Sequence, residues 1–122
     1  MIMGENIIVS KSEDFAVRIV KLYRVLQSER QEYVMSKQLL RCGTSIGANI
    51  AEAQEAQSDS DFIAKLYISL KECSETCYWI RLLHRTDYLS EAEYRSLNQD
   101  SSELKALLTA IIKSKKQNMQ SK

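Results

Sequence analysis

Proline is absent from this 122-residue chain, glycine occurs only three times and histidine once, and no apolar run approaches the roughly 18 residues that a membrane-spanning helix needs. Chains rich in turns or strands lean on proline and glycine for punctuation, so their scarcity points to an all-helical fold. A lone histidine, His84, removes most metal sites and His-based catalytic constellations. Three cysteines without a CxxC pair argue against a disulfide framework or a zinc knuckle, and Cys42, Cys73 and Cys77 read as small core residues. There is no excess of either charge: 17 basic against 16 acidic side chains leave a formal +1, so no global field draws the chain onto nucleic acid, and any such contact must be local or assembled. The opening residues MIMGENIIVSKSED lack a charged-then-apolar signal pattern, which makes cytoplasmic the expected location, with no membrane partner.

What is present is heptad-like apolar spacing. One stripe runs through Phe15, Ile19, Leu22 and Leu26, behind an expected cap at Ser10 or Ser12. A second runs through Met35, Leu39, Cys42, Ile46, Asn49, Ala53 and Ala56, and a third through Phe62, Leu66, Ser69, Cys73, Thr76, Ile80 and Leu83. Ser90 and Glu93 form a capping box ahead of a fourth stripe, Tyr94, Leu97, Ser101, Leu104, Leu108 and Ile111. Beyond about Lys113 the tail KSKKQNMQSK should fray. The spacing therefore predicts helices over 12–30, 33–57, 60–85 and 91–116, in one domain spanning 1–122, an antiparallel up-down-up-down four-helix bundle.

The stretch CGTSIGANIAEAQ, with Gly43 and Gly47 four apart, raises the possibility of a phosphate loop. A P-loop needs lysine and Ser/Thr after the last glycine, whereas Ala48 and Asn49 follow Gly47. In a helix the two glycines instead make a slim face for a close neighbour. Asn49 falls on the second stripe and reads as a core polar residue that fixes register, with half of a binding site as the sharper alternative. On helix three, Ile68, Glu72, Glu75 and Trp79 mark a candidate subunit interface, although Trp79 could equally close one end of the monomer core. Neither carboxylate is followed by histidine at carboxylate-bridged metal spacing, and the serines have no plausible histidine base. No catalytic residue, metal ligand or cofactor is expected. Arg18, Lys21 and Arg24 line helix one as a possible RNA contact, diluted by Glu13, Asp14 and Glu29.

From Leu39 to Leu89 the chain carries TSIGANIAEA, an S-x-x-DF helix start at Ser58 and Asp61-Phe62, KE-x-x-E-x-x-YW from Lys71 to Trp79, and a closing Tyr88-Leu89. This combination resembles the bacterial four-helix bundle proteins named for open reading frames in 23S rRNA intervening sequences. The resemblance implies a left-handed up-down bundle that assembles as a homopentamer, in a family with no established enzyme activity. It also implies kinship with accessory proteins of diversity-generating reverse transcriptases, which bind the polymerase and RNA. Asp87 departs from the family pattern, where glycine is expected before the closing Tyr-Leu. The expected role is thus a non-enzymatic oligomeric adaptor for structured RNA or a nucleic-acid enzyme. The rival is a protein-only scaffold.

Overall fold

The four stripes form four helices, α1 (Met3–Ser28), α2 (Met35–Ala53), α3 (Asp59–Arg85) and α4 (Glu91–Gln120). The structure is a computed structural model that describes residues 3–121, with side chains from Ile7 onward. Each helix packs on its neighbour in sequence, and α1 closes the ring on α4, giving an all-α antiparallel up-down-up-down bundle. Ile8, Ile19, Leu26, Leu39, Ile46, Ile50, Leu66, Ile80, Leu83, Leu97, Leu104 and Leu108 are fully buried along the axis. Each such aliphatic side chain contributes about 1.5–3 kcal/mol on leaving water, which outweighs the weak intrinsic preferences of single residues.

That tertiary term explains where the helix ends differ from expectation. Ser10 and Ser12 do not start α1; their hydroxyls bond back to the Ile7 and Val9 carbonyls inside a continuous helix. Buried Ile8 and Ser12 extend the Phe15–Ile19 stripe by steps of four and three, so packing carries the helix past a local cap signal. At the other terminus α4 does not fray after Lys113 but runs to Gln120. Met119 packs against the core, while the ammonium groups of Lys115 and Lys116 lie over the Phe62 and Tyr67 rings at 5.0 and 4.9 Å. In α2 the helix stops at Ala53, short of 57, and Ser58 then caps α3 by accepting from the Asp61 N–H at 3.1 Å.

Two links share one end of the bundle. Gln31 and Asp87 adopt φ of 54° and 70°, left-handed conformations that turn the next N–H back onto the preceding helix, Glu32 to Leu26 and Tyr88 to Leu83. Arg30 ties the links together, donating to the Tyr88 carbonyl at 2.7 Å and as a fork to both Glu93 carboxylate oxygens. Buried Glu32 opens α2 by accepting from the backbone N–H groups of Val34, Met35 and Ser36 at 3.0, 2.7 and 2.6 Å. Burial alone would raise its pKa, but those bonds prevail and hold it below the usual carboxylate range.

The glycine stretch is a packing device. A Cβ on Gly43 would sit 3.0 Å from two Ile19 side-chain carbons, and one on Gly47 would sit 3.2 Å from the Ser12 carbonyl oxygen, so α1 crosses α2 where side chains are missing.

Candidate functional site

Asn49 lies half-buried at the edge of α2 and donates to the Ser45 carbonyl at 2.8 Å, one turn back. It is not a core residue: Ile50, one position along, takes the interior place because the stripe steps from Ile46 by four. The polar layer inside the core comes instead from α3 and α4. Ser69 donates to the Ile46 carbonyl at 2.9 Å across to α2, and the Cys73 thiol reaches the Ser101 carbonyl at 3.3 Å across to α4. Among the described residues no buried side-chain nitrogen or oxygen lacks a partner. Seryl and thiol groups on an apolar stripe read as filler in sequence, which is why the layer was not foreseen.

On the outer side of α2 and α3, Arg41 bridges Glu72 at 3.2 Å and makes a short contact with Glu75. The Trp79 indole N–H donates to Glu75 at 2.9 Å, and Tyr78 stands edge-on to Trp79 with centroids 5.0 Å apart. The Arg41 hydrogen bond, aided by Trp79, keeps the Glu75 carboxyl below its ordinary range, so it is held as an ionised acceptor and is not poised to deliver a proton. Trp79 also packs on the core with one side. Ile68, by contrast, is 44% exposed, as are its sequence neighbour Tyr67 at 40% and, about three turns along α3, Tyr78 at 47%. The four interface candidates therefore share one side of α3, with Glu72, Glu75 and Trp79 tied together and Ile68 facing solvent.

The basic residues of α1 are not equivalent. Arg18 bridges Asp100 on α4 at 2.8 Å, whereas Lys21 and Arg24 are exposed and have no carboxylate partner among the described residues. The Arg18 bridge crosses the α1–α4 groove, whose floor is Phe15 and Leu104 and whose rim also holds Lys11 paired with Glu103. Of a second set of cations on α3 and α4, sequence reading singled out Lys113 and Lys116, with Lys115, as a tail cluster that could meet phosphates. It missed Lys71, Arg81, Arg85 and Lys105, because charges eight or ten residues apart show no local cluster until two helices bring them side by side.

The cysteines behave as buried thiols with one exception. Burial pushes Cys42 up to about 11, and the hydrogen bond with Cys77, followed by burial, raises Cys73 well above its ordinary value. Cys77 is half-buried and lies against the Ser101 hydroxyl at 3.4 Å. Its thiol is lowered to about 6, first by the Cys73 hydrogen bond and further by Ser101, Lys105 and Arg81. Among the described residues, no three His, Cys, Asp or Glu side chains converge as metal ligands. No helix among them is long and apolar enough to cross a membrane.

A profile of the 23S rRNA-intervening sequence protein family matches residues 4–110. A crystal structure of a protein of unknown function from Bacteroides thetaiotaomicron, assigned to the S23 ribosomal protein family, superposes with a TM-score of 0.90 at 58% identity, covering 91% of this chain and 99% of that one. No curated protein matches the chain.

Proposed function

Because this chain belongs to the 23S rRNA-intervening sequence protein family, we propose that it acts as a non-enzymatic, oligomeric helical adaptor that binds RNA or a ribonucleoprotein enzyme. The observation that carries this reading is the uneven pairing of its charges. Although the chain is near neutral, most of its ion pairs lie along the α1–α4 and α2–α3 edges, and exposed cations such as Lys21 and Arg24 have no carboxylate partner among the described residues. Unpaired cations on a rigid surface supply the sequence-independent part of nucleic-acid affinity, and assembly multiplies it. The family's name, which includes 23S rRNA, supports RNA as the anion.

A protein-only scaffold is the second reading, favoured by the exposed Ile68 and Tyr78 beside Trp79. Affinity capture of the tagged protein from its native cells, with and without ribonuclease, separates the two. Enrichment of a defined RNA supports the adaptor, whereas a protein partner that survives ribonuclease with no RNA enriched supports the scaffold. The Trp79 side serves self-association in either case, with a homopentamer as the expected state. Trp79→Ala should lower the assembled mass by light scattering while leaving helicity largely intact; an unchanged mass removes Trp79 from the subunit contact.

A further inference from the structure

Of the eight carboxylates of α3 and α4, five are drawn to α1, α2 or the α1–α2 link, and the other three lie at the helix starts, where Asp59 and Glu91 pair between α3 and α4. Glu72 and Glu75 turn to Arg41 on α2; Asp100 and Glu103 turn to Arg18 and Lys11 on α1; Glu93 turns to Arg30. Asp59 pairs with Lys115 and Asp61 accepts from the Gln57 N–H at the start of α3, and Glu91 holds His84 and Arg95 at the start of α4. What remains is six exposed cations, Lys71, Arg81, Arg85, Lys105, Lys113 and Lys116, none with a carboxylate partner among the described residues.

At about 100° per residue, Lys71, Arg81 and Arg85 fall within one narrow arc of α3, and Lys105, Lys113 and Lys116 within one narrow arc of α4. These arcs adjoin. Lys116 donates to the Tyr67 hydroxyl at 2.6 Å, Lys105 and Arg81 both act on the Cys77 thiol, and Tyr67, Leu70, Thr109 and Lys113 line one open groove. Tyr67 and Tyr78 stand in the same arc of α3, about 16 Å apart along the axis. Both rings are exposed, and the Arg81 guanidinium lies 5.9 Å from the Tyr78 centroid. Cations interleaved with exposed aromatic rings and the hydroxyl groups of Ser74 and Thr109 suit a phosphate backbone with unstacked bases. An anionic bilayer would call for apolar side chains to insert, and this arc offers tyrosines with hydrogen-bonding hydroxyls.

From this arrangement we infer that the α3–α4 face is the principal RNA-binding surface, taking single-stranded RNA with its phosphates along the lysine and arginine side chains and bases against Tyr78. The inference rests on the RNA reading above and gives it a surface distinct from the α1 stripe. The test is fluorescence anisotropy of a labelled single-stranded RNA oligonucleotide across a salt series, with a duplex of the same length and phosphatidylserine vesicles as the other arms. Wild-type protein is compared with Lys105→Gln/Lys113→Gln/Lys116→Gln and with Arg18→Gln/Lys21→Gln/Arg24→Gln; five of these sites are exposed and Arg18 gives up one half-exposed bridge to Asp100, changes that leave folding intact and that circular dichroism checks.

The expected result is at least a roughly tenfold loss for the α4 triple variant, with the salt slope shallower by about 2, against a change within about threefold for the α1 variant. Tyr78→Ala should weaken single-stranded binding about fivefold or more without moving the slope, because stacking releases no counterions. Wild-type binding that is lost only in the α1 variant, or kept in both, overturns the α3–α4 face while leaving the RNA reading intact. Stronger binding to the duplex overturns the single-strand assignment. A wild-type protein that binds neither RNA overturns the RNA reading itself, and binding to the vesicles alone overturns both.

Discussion

At the scale of single residues, Asp87 shows how a side chain can be tolerated in a position that suits another. Its φ of 70° lies in the left-handed region, where a Cβ costs energy and glycine does not. Asp87→Gly is expected to stabilise the fold by a few tenths to about 1 kcal/mol, read as a higher urea midpoint; a lower midpoint would show that the aspartate contributes more than its backbone costs. Glu32 and Glu93 set the response to acid. The Arg30 hydrogen bond, with the Ser90 N–H, lowers Glu93 to about 2, and Glu32 is also lowered. Both folded values lie below the unfolded one, so their stabilisation is present above about pH 4.3 and is lost as pH falls toward 2. The Glu93 side chain is 34% exposed, and after solvent screening its share is about 1–2 kcal/mol. Glu93→Gln should flatten the loss of stability between about pH 5 and pH 3, measured by urea unfolding; an unaltered pH profile would remove Glu93 as a source of the acid response.

At the scale of elements, the sequence pattern and the structure agree most where periodicity was densest. The interior positions of α4 fall where the Leu97–Ile111 spacing places them, and the Ser90–Glu93 capping box forms with both of its bonds. Agreement fails where a side chain's role depends on another helix. Asn49 lay on a formally correct step, but α2 faces two neighbours, and Ile50 fills the interior. Nothing local in Ser69 announces that it will meet the Ile46 carbonyl. Of the candidate sites, the Glu72–Glu75–Trp79 grouping was legible because i, i+3 and i+4 spacing aligns it on one helix; Arg41, which joins it, comes from α2 and was not. The close α1–α2 crossing makes the glycines testable. Gly47→Ala should destabilise by about 1 kcal/mol despite alanine's better helix propensity, because the Cβ meets backbone that cannot move aside; a gain in stability would show that the crossing has slack.

At the scale of the whole molecule, the bundle separates its charges without carrying much net charge. Cross-helix pairs consume most carboxylates on two edges, and the formal +1 conceals an α3–α4 face on which six exposed cations have no carboxylate partner among the described residues. Composition could not reveal this, since it follows from which faces the helices turn toward one another. The central claim is that this surface binds RNA, and the measurement that tests it most directly is the salt dependence of RNA affinity for the unaltered protein. The account predicts that log K falls linearly with log salt concentration, with a slope of magnitude about 3 or more for a single strand that engages most of the six cations. No measurable binding at low salt, or a slope near zero, would contradict it.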